Sequence, residues 1–311
     1  MKKNIAGHQH IISLLQKSLE KKHAHAFLFA GDSHIGKTAV SDFVIDFLIP
    51  HDFQKLNVLD LRCEEDKLVI SIEQIIEMQK QIVLKPTNKY PIVVRINEPE
   101  LLSDEAANRI LKILEEPPEY VIFILITSNE HLVMDTIKSR CQKINFQNVS
   151  DDDIREFVLE NNGSIPSNFD NILQFAHGCP GKVMRAIEDP EYFDNYIQDL
   201  KSVIAMLDKP SVEQLQIIQE WFSSRKSYIE KKKKLEYTLS LLEELLHGII
   251  ALQNNEKGIL NDASLEKIAK KLSHRNIIDL FNVLTEHARK LKFNPDIQTM
   301  AHHITLLSTH K

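Results

Sequence analysis

The chain has 311 residues, 43% of them hydrophobic and 26% charged, with a formal net charge of −6 at pH 7. That length predicts two or three domains, and the mild acidity excludes a protein driven to nucleic acid or an anionic membrane by bulk charge alone. Three widely spaced cysteines, Cys63, Cys141 and Cys179, exclude a disulfide framework and lead us to expect no zinc or other metal held by side-chain ligands of their kind, in keeping with a cytoplasmic protein.

The N-terminus "MKKNIAGHQH" starts basic but leads into no apolar targeting region, and no run reaches the length of a membrane span. The run "HAFLFA", His25 to Ala30, predicts a short buried strand. It leads into "GDSHIGKTAV", Gly31 to Val40, a complete phosphate-binding loop of the form GxxxxGKT. Such a loop needs a strand before it and a helix after it. Apolar residues at Ala39, Val40, Phe43, Val44, Phe47 and Leu48 supply the helical stripe, and Pro50 marks its end. In this arrangement backbone N–H groups between Gly31 and Gly36 curl round phosphates and the helix dipole adds to them. Lys37 reaches the outer phosphates, and the Thr38 hydroxyl is placed to ligate Mg²⁺.

Further along, "PIVVRINEPELL" predicts a buried strand of Ile92, Val93, Val94 and Ile96, interrupted by Arg95. A hydrolase built on this loop needs acids at the end of such a strand, one to hold Mg²⁺ through water and one to orient the attacking water. Here the pair is Asn97 and Glu98, and the neutral Asn97 weakens the charge offered to a metal. Ser103 then caps a helix whose first turn carries Asp104 and Glu105 and whose apolar face is Ala107, Ile110, Leu111 and Leu114, stopped by Pro117-Pro118. "VIFILIT", Val121 to Thr127, predicts another buried strand, and Arg140 stands between a short helical turn and a further strand. Strands alternating with amphipathic helices imply an α/β fold with a parallel sheet covered on both faces.

After Phe146 the pattern turns helical. Ser150 caps a helix with three aspartates in its first turn, and "SNFDNILQFAHGCPGKVMRAIE" predicts two short helices around a Gly-Pro-Gly turn, together a small helical lid. From about residue 207 almost everything reads as helix, with Leu235, Leu239, Leu242, Leu246 and Ile249 on one face and Leu291, Ile297, Met300 and Ile304 in the final helices. The run Lys231 to Lys234 reads as a solvated helix face, with phosphate contact as the alternative. His302 and His303 diverge by roughly 100° on a helix and make a poor metal pair.

The stretch "LLSDEAANRILKILEEPPEYVIFILITSN" followed by "IKSRC" resembles the AAA+ module of bacterial clamp loaders, and "IAGHQHIISLLQKSLEKKHAHAFLFAG" resembles its entry. "LDLRCEEDKLVISIEQIIEM" and "ARKLKFNPDIQTMAHHITLL" are similar to later segments of the same family, so the resemblance spans most of the chain. It implies an AAA+ phosphate-loop module over 1–147, a helical lid over 148–206 and an all-α oligomerisation collar over 207–311. It also implies assembly with gamma or tau and delta subunits, and loading of the beta sliding clamp onto primed DNA. Arg140 becomes, by the same resemblance, an arginine finger reaching ATP on a neighbouring subunit, with an ion pair inside its own domain as the alternative.

Two departures bear on activity. The ATP-hydrolysing members carry Asp–Glu where this chain has Asn97–Glu98, and a lid arginine where it has Gly181 or Lys182. The family's four-cysteine zinc module is missing as well, the path from Pro50 to Leu59 being too short for it. The loop is therefore expected to take ATP or ADP with Mg²⁺ weakly or not at all, and the chain not to turn it over. An active ATPase of the gamma or tau type remains the alternative.

Overall fold

The computed structural model describes residues 5–21, 24–64, 67–84, 88–207, 209–223, 227–254 and 263–290. It divides into two compact units, Met1–Ile187 and Glu188–Lys311. Of the expected final helix, the part from Leu291 onward, with Ile297, Met300, Ile304, His302 and His303, lies outside the described residues.

The first unit is built on five parallel strands, β1 (Ala26–Ala30), β2 (Val58–Leu61), β3 (Ile92–Asn97), β4 (Val121–Thr127) and β5 (Gln142–Asn145), in the order β2-β3-β4-β1-β5. The α/β architecture read from the alternating pattern is the one observed. The central strands are almost continuous apolar runs because helices cover both faces. Phe27 and Phe29 of β1 point into one core with Val40, Val44 and Ile45, while Leu28 of the same strand points into the other with Ile75, Ile110 and Leu125. The alternation of strand side chains thus divides the interior into two layers.

The covering helices are α1 (Gln9–Glu20), α2 (Lys37–Leu48), α3 (His51–Asn57), α4 (Ile72–Val83), α5 (Asp104–Glu115) and α6 (Asp135–Lys138). Ser71 and Gln74 close a capping box on α4, and the Ser103 side chain accepts from the Ala106 N–H to start α5. The apolar stripe expected on α2 is rotated in the structure. Ser41 and Ile45 join Val40 and Val44 against the sheet, and Phe47 is 43% exposed. The Arg95 guanidinium rises from β3 to pair with Asp42 on α2 at 2.6 Å and with Asp60 on β2 at 2.5 Å. The two short helices α8 (Phe169–Ala176) and α9 (Pro180–Glu188) follow α7 (Asp151–Asn162) and complete the unit.

The second unit is helical: α10 (Pro190–Leu207), α11 (Ser211–Ser223), α12 (Tyr228–Gln253), α13 (Ala263–Lys271) and α14 (His274–Lys290). All five leucine and isoleucine positions expected on the long helix are buried, together with Leu241 and Leu245. In the basic run, Lys234 lies over the rings of Trp221 and Tyr237. Among the described residues, no helix is long and apolar enough to cross a membrane.

Candidate nucleotide-binding site

The loop between β1 and α2 takes its shape from close packing. Gly31 has φ 151°, and a Cβ there would stand 2.6 Å from the Phe146 carbonyl, so only glycine lets the chain leave β1 at this angle. His34 is a non-glycine residue held left-handed, with φ 64°. Two outside groups grip the loop's back. The buried His8 hydrogen-bonds the Ile35 carbonyl at 2.9 Å through Nε2, and Gly181 at the start of α9 donates its N–H to the His34 carbonyl at 2.8 Å. Because a carbonyl only accepts, His8 carries its hydrogen on Nε2. Burial first lowers the pKa of His8, which favours that neutral ring.

Lys37 lies inside the loop and is only 5% exposed. Its ammonium donates to the carbonyls of Gly31 and Asp32, both at 2.6 Å, and to Ser128 Oγ at 3.1 Å. Desolvation pushes its pKa down to about 8, against the opposing pull of Asp32, Cys179 and Glu100. Thr38 is exposed at the first turn of α2. Loop, buried ammonium and free-facing hydroxyl fit the phosphates of a nucleotide. Gly31, Gly36, Lys37 and Thr38 would hold it, Thr38 through Mg²⁺.

The acidic half of the site is different. Asn97 directs its amide toward the Leu61 carbonyl on β2, at 3.5 Å. Glu98 is exposed and left-handed, at φ 54°. The carboxylate brought into the interior next to the loop is Glu100, which accepts from Thr127 Oγ1 at 2.9 Å and is 6% exposed. Sequence reasoning singled out Asn97 and Glu98 but missed Glu100, Ser128, His8 and His34. Ser128 alone carried a local signal, since it follows a buried strand beside the loop strand.

Arg140 is not near this site. Gln142 pairs in register with Phe27, so Arg140 lies before the amino end of β5, while the loop follows the carboxyl end of β1. Six residues of parallel strand separate the two levels, about 20 Å. The guanidinium there binds the Thr136 carbonyl at 2.9 Å and pairs with Glu115 at the end of α5. None of the three cysteines is joined in a disulfide; burial pushes the pKa of Cys141 up to about 12 and raises that of Cys179. Among the described residues, no three histidine, cysteine or acidic side chains gather as a metal site.

The family described as "DNA polymerase III, delta subunit" matches residues 7–150. The chain is 27% identical to the DNA polymerase III subunit gamma of Buchnera aphidicola subsp. Schizaphis graminum, over 94% of this chain and 91% of that protein. It is 22% identical to the DNA polymerase III subunit delta' of Bacillus subtilis, over 96% and 94%. Together these matches support a member of the bacterial clamp-loader family. Among solved structures, a gamma-subunit-related protein of Thermotoga maritima aligns over 96% of this chain and 98% of its own, at 17% identity and a TM-score of 0.49. Gamma and delta' relatives stand at comparable distance, so the type of clamp-loader subunit turns on the chemistry of the site.

Proposed function

We propose that this clamp-loader subunit is of the delta-prime type. It assembles with gamma or tau and delta through a collar over 207–311, to load the beta sliding clamp onto primed DNA. In this reading 1–147 is the AAA+ domain and 148–206 its lid, and the chain takes ATP or ADP without hydrolysing it. The observation that carries the reading is the split between the two charged centres. Arg140 stands at the opposite end of the sheet from its own loop, out of reach of any phosphate held there. A transferring phosphoryl group on a neighbour is what such an arginine can serve. Its ion pair with Glu115 does not explain its presence. With the two side chains 32% and 50% exposed, such a pair contributes about 0–1 kcal/mol. Asn97 and the pair Gly181-Lys182 support the same reading from the other side, because the acid is replaced and either Gly181 or Lys182 stands where the lid arginine would.

The complete loop and the gamma relatives favour a second reading, an active ATPase of the gamma or tau type. Arg140→Ala in the assembled loader tests the trans role, and hydrolysis by the isolated chain tests the second reading. The variant chain is expected to fold with a loss of no more than about 1 kcal/mol and to assemble. The clamp- and DNA-stimulated ATPase at the one site it completes is expected to fall by on the order of 10³–10⁵. Arg140→Lys keeps the charge but not the planar fork and rescues poorly. Unchanged hydrolysis by the assembled variant refutes the trans role. Hydrolysis by the isolated chain that is abolished by Lys37→Ala establishes the gamma-type reading instead.

A further inference from the structure

The lid does not merely cover the phosphate loop; it is hydrogen-bonded to it through main chain. Gly181 N–H meets the His34 carbonyl at 2.8 Å, and a Cβ on Gly181 would stand 2.8 Å from that same oxygen. The contact is therefore possible only with glycine at 181. Its base is fixed: Val149 N–H donates to the Gly178 carbonyl at 2.9 Å, and Cys179 is buried in the core that also holds Ile35, Phe27 and Phe29. The residue it grips, His34, bears a Cβ yet sits at φ 64°. A residue of that kind disfavours the left-handed region by roughly five- to thirtyfold. Beside it, the His8 contact to Ile35 fixes the next carbonyl. Across the peptide from the His34 carbonyl, the Ile35 N–H donates to the Asp32 carbonyl at 3.4 Å, so the turn is held from inside the loop as well.

We propose that Gly181 is a positioning residue that pre-organises the phosphate loop by latching His34 in its left-handed conformation. The inference rests on the reading that the loop takes a nucleotide phosphate. With the latch closed, the cost of ordering His34 is met before the ligand arrives, and lid and loop move as one element. Lid position and loop occupancy are then reciprocally coupled. A phosphate in the loop holds the lid down, and a partner that lifts the lid weakens the loop's hold on phosphate.

The test uses the full chain and fluorescently labelled ADP, followed by anisotropy. Gly181→Ala opens the latch and is expected to weaken binding five- to thirtyfold. In a His34→Gly background the left-handed turn needs no support, and the same Gly181→Ala change is expected to cost less than about twofold. Equal losses in the two backgrounds, or no loss in either, overturn the proposal. The latch is also read without nucleotide, by hydrogen exchange of the Gly181 amide in the unaltered chain. A protected amide supports the latch even if labelled ADP does not bind, in which case only the nucleotide reading falls. A Gly181 amide exchanging as fast as a free loop overturns it, whether or not Gly181→Ala folds.

Discussion

The buried ammonium of Lys37 makes stability depend on pH in an unusual direction. Its folded-state pKa is lowered to about 8 from 10.5, with desolvation as the main cause. Below about pH 8 the side chain is charged in both states, and the folded state bears the cost of burying it. Above 10.5 it is neutral in both, and the cost is gone. Between these values the unfolded chain binds more protons, so stability rises with pH. A shift of this size corresponds to roughly 3 kcal/mol, which we discount to about 2 kcal/mol for solvent screening at the loop mouth. Urea denaturation of the unaltered chain and of Lys37→Met, each at about pH 7 and about pH 10, isolates the effect, because other titrating groups cancel in the comparison. The unaltered chain is expected to gain about 1.5–2 kcal/mol more than the variant over that interval. Parallel pH dependence in the two proteins, within about 0.5 kcal/mol, refutes the buried-ammonium account.

Asn57 is 1% exposed and donates to Asn88 Oδ1 and to the Tyr90 and Pro91 carbonyls, so Asn57→Ala strands three half-buried acceptors and is expected to cost about 1–3 kcal/mol in urea denaturation. A metal-free fold predicts that chelator leaves the melting temperature unchanged and that elemental analysis finds no stoichiometric zinc; about one zinc per chain contradicts it.

The sheet was legible wherever a strand is buried on both faces. Val121 to Thr127 and Ile92 to Ile96 are nearly unbroken apolar runs, and a run of that length between turn signals has few other uses. β2 escaped because it is a four-residue edge strand whose third residue, Asp60, is exposed to pair with Arg95. The phosphate loop was readable to the residue, since its chemistry fixes its spacing. The grip on that loop was not. Gly181 acts through a main-chain N–H and His8 from the start of the chain, and neither a backbone donor nor a contact 27 residues away leaves a periodic trace. For Arg140, the sequence left finger and ion pair as alternatives. The structure adds Glu115 as its neighbour, 25 residues away with β4 and α6 between them in the chain.

The two outer strands of the sheet share a design. β2 and β5 are each four residues long, and each carries a charged side chain in its interior, Asp60 on one and Lys143 on the other. Both charges are committed locally, Asp60 to Arg95 and Lys143 to Glu130 at 2.6 Å. A rim this short and this charged is a poor template for another chain's backbone. Copies of the protein waiting for their partners are thereby kept from zipping together strand to strand, and association is left to side-chain surfaces, where partners can be told apart.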